Sequence, residues 1–285
     1  VKQAVYTAGQ RKTTFALTCC IDSLFHTKQY ENVVYMDLDV LGTGTCFLFK
    51  DGVLTADNCF EKTESAVEVV LKLEKEEKSL YLAYLDPVRK VRSVYGDRRF
   101  INHQGLAAEE LTEQIRKFIR ECTADEPSTL IVLDCAPGFT EIEQAVLQEC
   151  YTKLGELEVE EDYLTTLDSA HMQKCIQCLN DGMEGIQRHV KDRQIHLVIN
   201  DVQNYSRYVE DELHESAEKG WKEICDKVLE GLRSDNVTIA RWKYSEDIAQ
   251  QCVFGSESVV ENHPEWYLFS EENFKILHVK KKDGE

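Results

Sequence analysis

The sequence predicts an α/β fold: a mostly parallel, twisted sheet with helices on both faces. Apolar runs of strand length alternate along the chain with amphipathic stretches of helix length. Two of these runs end in acidic residues, as buried parallel strands do where they enter a crevice. The 285 residues, 42% of them hydrophobic, suffice for a large buried core. Without repeats or linkers, we expect residues 1–285 to form one domain.

The first strand, loop and helix are predicted from Val5–Thr14, which reads V-Y-T-A-G-Q-R-K-T-T. A short apolar strand leads into a tight loop, and a helix follows over Thr13–Phe25. Arg11 and Lys12 therefore lie at a helix N-terminus, where unpaired N–H groups and partial positive charge disfavour cations unless an anion joins them. The local chemistry predicts a bound anion.

The following elements alternate in the same way. The pattern predicts helices near Glu64–Glu76, Leu106–Cys122, Glu141–Leu154, Ala170–Val190 and Glu210–Leu232. It predicts strands at 32–39, Leu80–Leu85, 129–134, Tyr163–Leu167, Ile195–Asn200 and Val237–Ala240. Segments 40–60 and 87–104 are predicted to be irregular, and the tail from Asn262 is expected to fold back on the domain. Such βαβ units give a parallel sheet covered on both faces.

Composition limits the classes of function. The net charge of −19 argues against phosphate-backbone binding by the whole surface. The eleven cysteines, an odd number spread along the chain, are typical of reduced, buried thiols. The chain has no apolar run of about 18 residues and no apolar core of a signal peptide near its start, so we expect a cytoplasmic protein.

Three carboxylates are predicted to meet at one edge of the sheet. Asp37 and Asp39 follow one buried strand and Asp134 follows another, and the carboxyl ends of parallel strands share an edge with the first loop. Oxygen ligands beside an anion site suit Mg²⁺, which bridges phosphates. The alternative is that acids end strands and cap the next helix.

The loop itself matches a standard phosphate loop only in part. In the form G-x-x-x-x-G-K-[ST], backbone N–H groups wrap the phosphates, the Lys reaches their oxygens and the hydroxyl binds magnesium. Here Tyr6 and Arg11 occupy the two glycine positions, while Lys12 and Thr13 remain. Alone, this pattern also fits an ordinary strand-to-helix turn.

Three segments in this order resemble the deviant Walker A, switch I and switch II motifs of ParA/MinD-type P-loop ATPases of the SIMIBI class. They are V-Y-T-A-G-Q-R-K-T-T, V-V-Y-M-D-L-D-V-L-G at 33–42 and L-I-V-L-D-C-A-P-G at 130–138. H-L-V-I-N-D-V at 196–202 resembles the family's adenine-contacting strand, and 239–255 resembles its late strand and helix. The resemblance covers nearly the whole chain.

The resemblance implies roles for individual residues in holding ATP and Mg²⁺. Lys12 would hold the β- and γ-phosphates and act in catalysis, and Thr14 would lie near the α-phosphate. Thr13 and Asp134 would bind Mg²⁺, with Asp37 supporting the metal. Asp39 would orient the attacking water, and Asn200 would contact the base. The remaining loop residues of the implied nucleotide site are Ala8, Gly9, Gln10 and Arg11.

The implied function is an ATP-binding switch in partitioning or intracellular positioning, with slow hydrolysis and a protein partner or a homodimer. Two residues depart from the family pattern: Thr7 replaces the signature Lys and Arg11 replaces a Gly. They motivate an alternative, a non-hydrolysing degenerate P-loop adaptor or localisation scaffold. A P-loop enzyme acting on a small substrate is a third hypothesis.

Three further features have less specific interpretations. His171, Cys175 and Cys178 share a helical face, and we interpret them as packing residues in preference to metal ligands. The alternating apolar residues before Lys280 favour a last strand over a membrane-binding helix. The basic segment 89–99 favours a solvated loop over a DNA contact.

Overall fold

A computed structural model describes the chain in a set of ranges. They are residues 2–4, 11–38, 48–49, 67–84, 113, 115–122, 128–135, 146–148, 150–151, 158–186, 194–202, 204–233, 236–243, 247–248 and 259–280. The side chains of 2–4, 67, 84, 181–186 and 280 are outside this description.

Nine strands form one sheet within these ranges, in the order β3-β4-β2-β5-β1-β6-β7-β8-β9. The seven strands from β4 to β8 pair in parallel, and β3 and β9 close the two edges as antiparallel strands. The mostly parallel sheet is therefore confirmed. The strands are β1 (Lys2–Ala4), β2 (Asn32–Asp37), β3 (Val67–Leu73), β4 (Glu76–Tyr84), β5 (Thr129–Asp134), β6 (Glu160–Thr166), β7 (Gln194–Asn200), β8 (Val237–Trp242) and β9 (Phe274–Lys280).

Helices cover both faces of the sheet, as predicted. One face packs against α1 in a cluster that includes Phe15, Val132 and Leu164. The opposite face packs against the other long helices in a cluster that includes Phe118 and Leu197. The α-helices are α1 (Lys12–Asp22), α2 (Ser169–Ile186), α3 (Tyr205–Asp211), α4 (Ala217–Gly231) and α5 (Val259–Asn262). Ser23–Thr27 form a π-helix directly after α1, and Pro264–Tyr267 form a 3-10 helix. Residues 113, 115–122, 247–248 and the described part of 146–151 are also helical.

The first helix is buried on nearly all sides because the C-terminal segment covers its outer surface. The ring of Phe15 contacts Trp242 at 5.1 Å and Phe269 at 5.7 Å between centroids. The backbone N–H of Phe269 donates to Asp22 Oδ1 at 3.0 Å. The predicted return of the tail onto the domain is confirmed, and it fixes α1 against the sheet.

One predicted helix is wrong. Residues 67–73, assigned to a helix over Glu64–Glu76, form β3 instead, and β3 pairs with β4 in a hairpin. The two-residue turn is Glu74 and Lys75, with Glu74 at φ 55°. Hairpin turns of this length usually carry Gly or Asn, and this one has neither, so the sequence lacked the usual turn signal. The strand predicted over Leu80–Leu85 is β4, and it begins earlier, at Glu76.

A second helix is interrupted. The segment predicted as one helix over Glu210–Leu232 contains the end of α3 and all of α4. His214, with φ 52°, lies in the break between them. A left-handed residue cannot continue an α-helix, and Ser216 then precedes the first turn of α4.

Candidate functional site

The N-terminus of α1 lies where the sequence predicts an anion. Arg11 precedes the helix in a left-handed conformation, φ 79° and ψ 24°. Its carbonyl accepts the first hydrogen bond of the helix, from Phe15 N at 3.0 Å. The N–H groups of the first turn lack partners within the helix and carry partial positive charge, which favours an anionic ligand.

Lys12 reaches from this helix end to the sheet. Its side chain is buried, with 8% exposure, and its ammonium donates to the carbonyl oxygen of Cys135. Cys135 directly follows β5. A buried ammonium is costly unless an acceptor pairs with it, and here a backbone carbonyl fills that role. The positive charge of Lys12 is thus held beside the carboxyl end of β5.

Asp134, the last residue of β5, connects α1 to two strands. Its Oδ2 accepts hydrogen bonds from Thr13 Oγ1 at 2.7 Å and from Tyr35 Oη at 2.8 Å. The carboxyl group is 1% exposed, so its charge depends on these donors. Tyr35 was not identified from the sequence. The available signal was a polar hydroxyl within an otherwise aliphatic strand.

Asp37 lies beside Asp134 at the same sheet edge. The two residues are register partners on the neighbouring parallel strands β2 and β5, and Leu38 N donates to the Asp134 carbonyl at 2.8 Å. Asp37 is 2% exposed. The Thr13 hydroxyl and two buried carboxyl groups form an all-oxygen donor set, which is the chemistry that Mg²⁺ requires. The residues present therefore fit a magnesium ion.

Asn200 ends β7 at the same edge and is buried, with 1% exposure. It is three strand spacings from Asp134 in the order β5-β1-β6-β7. It also lies four residues beyond His196, the β7 residue level with Asp134, so the two are about 19 Å apart. Asp201, which the sequence did not single out, donates its N–H to the Trp242 carbonyl at 2.8 Å and accepts Tyr205 N at 2.7 Å. These bonds hold the residue after Asn200 at the start of α3.

The structure brings together Lys12, Thr13 and Asp134, with Asp37 adjacent. Thr14 is buried in the first turn of α1, and its carbonyl accepts Thr18 Oγ1 at 2.8 Å. Asn200 lies farther along the edge. The predicted site residues Ala8, Gly9, Gln10 and Asp39, and the departure at Thr7, lie outside the described residues.

No protein-family model matches the sequence, and no curated protein matches it. Among solved structures, apo McdA from Cyanothece covers 93% of both chains at 14% identity, with a TM-score of 0.52. The chain has the ParA/MinD-type fold. An ATP complex of a McdA variant from Cyanothece has a TM-score of 0.49 at 14% identity, covering 93% of this chain and 91% of that one. The MinC:MinD cell division complex of Aquifex aeolicus has a TM-score of 0.47 at 11% identity, covering 92% and 88%.

Other expectations concern residues outside this site. Cys175 is buried in the core, as interpreted, while His171 Nδ1 contacts Thr166 Oγ1 at 3.1 Å. Residues 274–280 form β9, so the predicted last strand is confirmed. Among the described helices, none is long and apolar enough to cross a bilayer. The basic segment 89–99 lies outside the described residues.

Proposed function

We propose that this protein is an ATP-binding switch of the ParA/MinD type that acts in partitioning or intracellular positioning. The observation that carries the proposal is the contact of Thr13 with Asp134 at 2.7 Å, beside the Lys12 ammonium at the start of α1. A hydroxyl, a carboxylate and an ammonium at a helix N-terminus are the groups that a Mg²⁺-bound triphosphate requires. The ParA/MinD-type fold supports the same conclusion.

In the proposed complex, the first turn of α1 holds phosphate oxygens through its backbone N–H groups. Lys12 exchanges its bond to the Cys135 carbonyl for a phosphate oxygen, so a carbonyl occupies in this structure the acceptor position of the ligand. Thr13 and Asp134 would hold Mg²⁺, and Asp37 would support these two ligands. The ion would neutralise part of the phosphate charge. Tyr35 keeps the Asp134 carboxylate oriented.

The rest of the proposal concerns the base, hydrolysis and partners. Asn200, at the carboxyl end of β7, is proposed to contact the base of a nucleotide whose phosphates are at α1. Asp39, two residues beyond Asp37, is proposed to orient the attacking water. A protein partner or a second copy of the chain would distinguish the nucleotide states by binding, as the resemblance of the three motifs to ParA/MinD-type switches implies.

Calorimetric titration with Mg-ATP tests the proposal. We expect the wild-type protein to bind with a Kd below about 1 mM, and Lys12→Ala to weaken binding at least tenfold. Lys28→Ala is the matched control, because Lys28 follows the π-helix Ser23–Thr27, beyond the C-terminal end of α1, and pairs with Glu76 at 2.7 Å. Absence of wild-type binding at millimolar nucleotide would refute the proposal.

Phosphate release distinguishes a switch from a non-hydrolysing adaptor. The proposal predicts slow release above background that disappears in Asp39→Ala while Mg-ATP binding is retained. Binding without any release would favour the adaptor.

A further inference from the structure

A second cluster of ligand-type side chains lies on β6 and β7, on the far side of β1 from Asp134. Glu160 and Asp162 project from the same side of β6, and His196 is the register partner of Asp162 on β7. His196 precedes Asn200 by four residues, or about 13 Å along the strand. Asp162 is nevertheless level with Asp134, because both are register partners of Ala4 on β1. The two aspartates are two strand spacings apart, or about 10 Å.

Both carboxyl groups converge on one imidazole nitrogen. His196 Nδ1 is 2.9 Å from Glu160 Oε1 and 3.0 Å from Asp162 Oδ1. A ring N–H points in a single direction, so it cannot align well with two acceptors at once. A cation between the three atoms, bound by the nitrogen lone pair and both carboxylates, accounts for the convergence without a shared hydrogen bond. The three ligand atoms all lie within 4.8 Å of one another.

The spacing matches a particular coordination geometry. Bonds of about 2.1 Å from a metal to nitrogen or oxygen place neighbouring ligand atoms about 3.0 Å apart at octahedral angles and about 3.4 Å apart at tetrahedral angles. The two distances to Nδ1 agree with the octahedral value. The side chains of Glu160 and His196 are 21% and 28% exposed, while Asp162 is 5% exposed. Water can therefore reach the remaining coordination positions.

We propose that Glu160, Asp162 and His196 form a binding site for a first-row divalent transition-metal ion such as Co²⁺ or Mn²⁺. One imidazole with two carboxylates is a ligand set that such ions accept, whereas Mg²⁺ and Ca²⁺ prefer oxygen alone. The site would link β6 to β7 and does not depend on nucleotide binding.

The competing arrangement is a proton in place of the metal. In the ion-free protein, burial lowers the pKa of His196, but hydrogen bonds to Asp162 and Glu160 outweigh it and raise the pKa to about 9. An imidazolium between two carboxylates would then be a structural ion cluster. Metal titration separates the two arrangements, because only a coordination site takes up an ion with defined stoichiometry.

Co²⁺ titration of the chelator-stripped, nucleotide-free protein, followed by visible absorption and calorimetry, tests the site. We expect one equivalent to bind with a ligand-field spectrum, and His196→Ala and Glu160→Gln each to weaken binding at least tenfold. His26→Ala is the control, since His26 Nδ1 pairs with a single carboxylate, that of Asp22, at 2.9 Å. Lys12→Ala should bind Co²⁺ like the wild type, which keeps this result separate from the nucleotide proposal.

Glu160→Gln provides a variant that leaves the imidazole and the buried Asp162 in place if His196→Ala does not fold. Wild-type protein that takes up no Co²⁺, or Glu160→Gln that binds it as tightly as the wild type, would overturn the proposal. Uptake that is equally reduced by His26→Ala would also overturn it, because that result assigns the ion to another surface.

Discussion

Thr13 and Asp134 are 121 positions apart in the chain, and their side chains are joined by a 2.7 Å hydrogen bond. The bond connects the first turn of α1 to the end of β5, next to the Lys12 ammonium. It places a hydroxyl and a carboxylate together at the carboxyl end of a parallel strand, where open α/β sheets bind their ligands. The proposed nucleotide site depends on this relationship.

Tyr35 is expected to stabilise the Asp134 carboxylate. Tyr35→Phe removes a hydrogen bond to a buried charge and should lower the free energy of unfolding by about 2 kcal/mol. Tyr208→Phe is the matched control because Tyr208 is 52% exposed, and it should change stability by less than about 0.5 kcal/mol. Urea denaturation of the three proteins measures the effect. Equal losses in both variants would contradict the assigned role.

Arg11 is expected to tolerate glycine better than a β-branched residue. Its φ of 79° lies in the left-handed region, which glycine adopts freely and valine does not. Arg11→Gly should stay within about 1 kcal/mol of the wild type, and Arg11→Val should lose about 2 kcal/mol or more. Thermal unfolding compares them. An equal loss of stability in Arg11→Gly and Arg11→Val would contradict this account. It would mean that the side-chain contacts of Arg11, and not its backbone conformation, determine the effect of substitution.

The elements that were predicted well are those whose local pattern and buried environment agree. The runs ending at Asp37, Asp134 and Asn200 are apolar because both faces of a central parallel strand are covered. Their assignment as strands could therefore be predicted directly from the sequence. The same rule placed Asp37 beside Asp134. The contact between Thr13 and Asp134 follows from the fold, because α1 starts at the sheet edge where β5 ends.

The elements that were predicted wrongly depend on backbone conformations that the local sequence does not indicate. Val67, Val70 and Leu71 fit a helical stripe as well as a strand, and the deciding feature is the turn at Glu74, which lacks Gly and Asn. The convergence of Glu160, Asp162 and His196 depends on the register between β6 and β7, which tertiary structure sets.

Glycine should stabilise the β3–β4 turn at only one of its two positions. Glu74 has φ 55°, so Glu74→Gly removes left-handed strain that exceeds the entropic cost of glycine and should stabilise the protein by about 0.5 kcal/mol. Lys75→Gly is the control at the next turn position, where φ is not positive, and should destabilise by a similar amount. Chemical denaturation measures both. A loss of stability in Glu74→Gly would contradict this account of the turn.

The ion-free protein should lose stability at alkaline pH through His196. Its folded pKa is raised to about 9 from 6.5 by Asp162 and Glu160 despite burial; on the other side of β7, Thr238 of β8 pairs with it and carries no charge. The resulting stabilisation is fully present below pH 6.5 and is lost as the pH rises toward 9, by up to about 3 kcal/mol. Unfolding measured with chelator from about pH 6 to about pH 9.5 should show this loss, and His196→Ala should not. Parallel curves for the two proteins would be inconsistent with the ion cluster.

A structure of the protein with Mg-ATP tests the central claim most directly. The account predicts phosphate density at the first turn of α1 and a magnesium ion on Thr13 and Asp134. It also predicts that the Lys12 ammonium moves from the Cys135 carbonyl to a phosphate oxygen. A structure at saturating Mg-ATP in which Lys12 still contacts Cys135 and the turn binds no phosphate would contradict it.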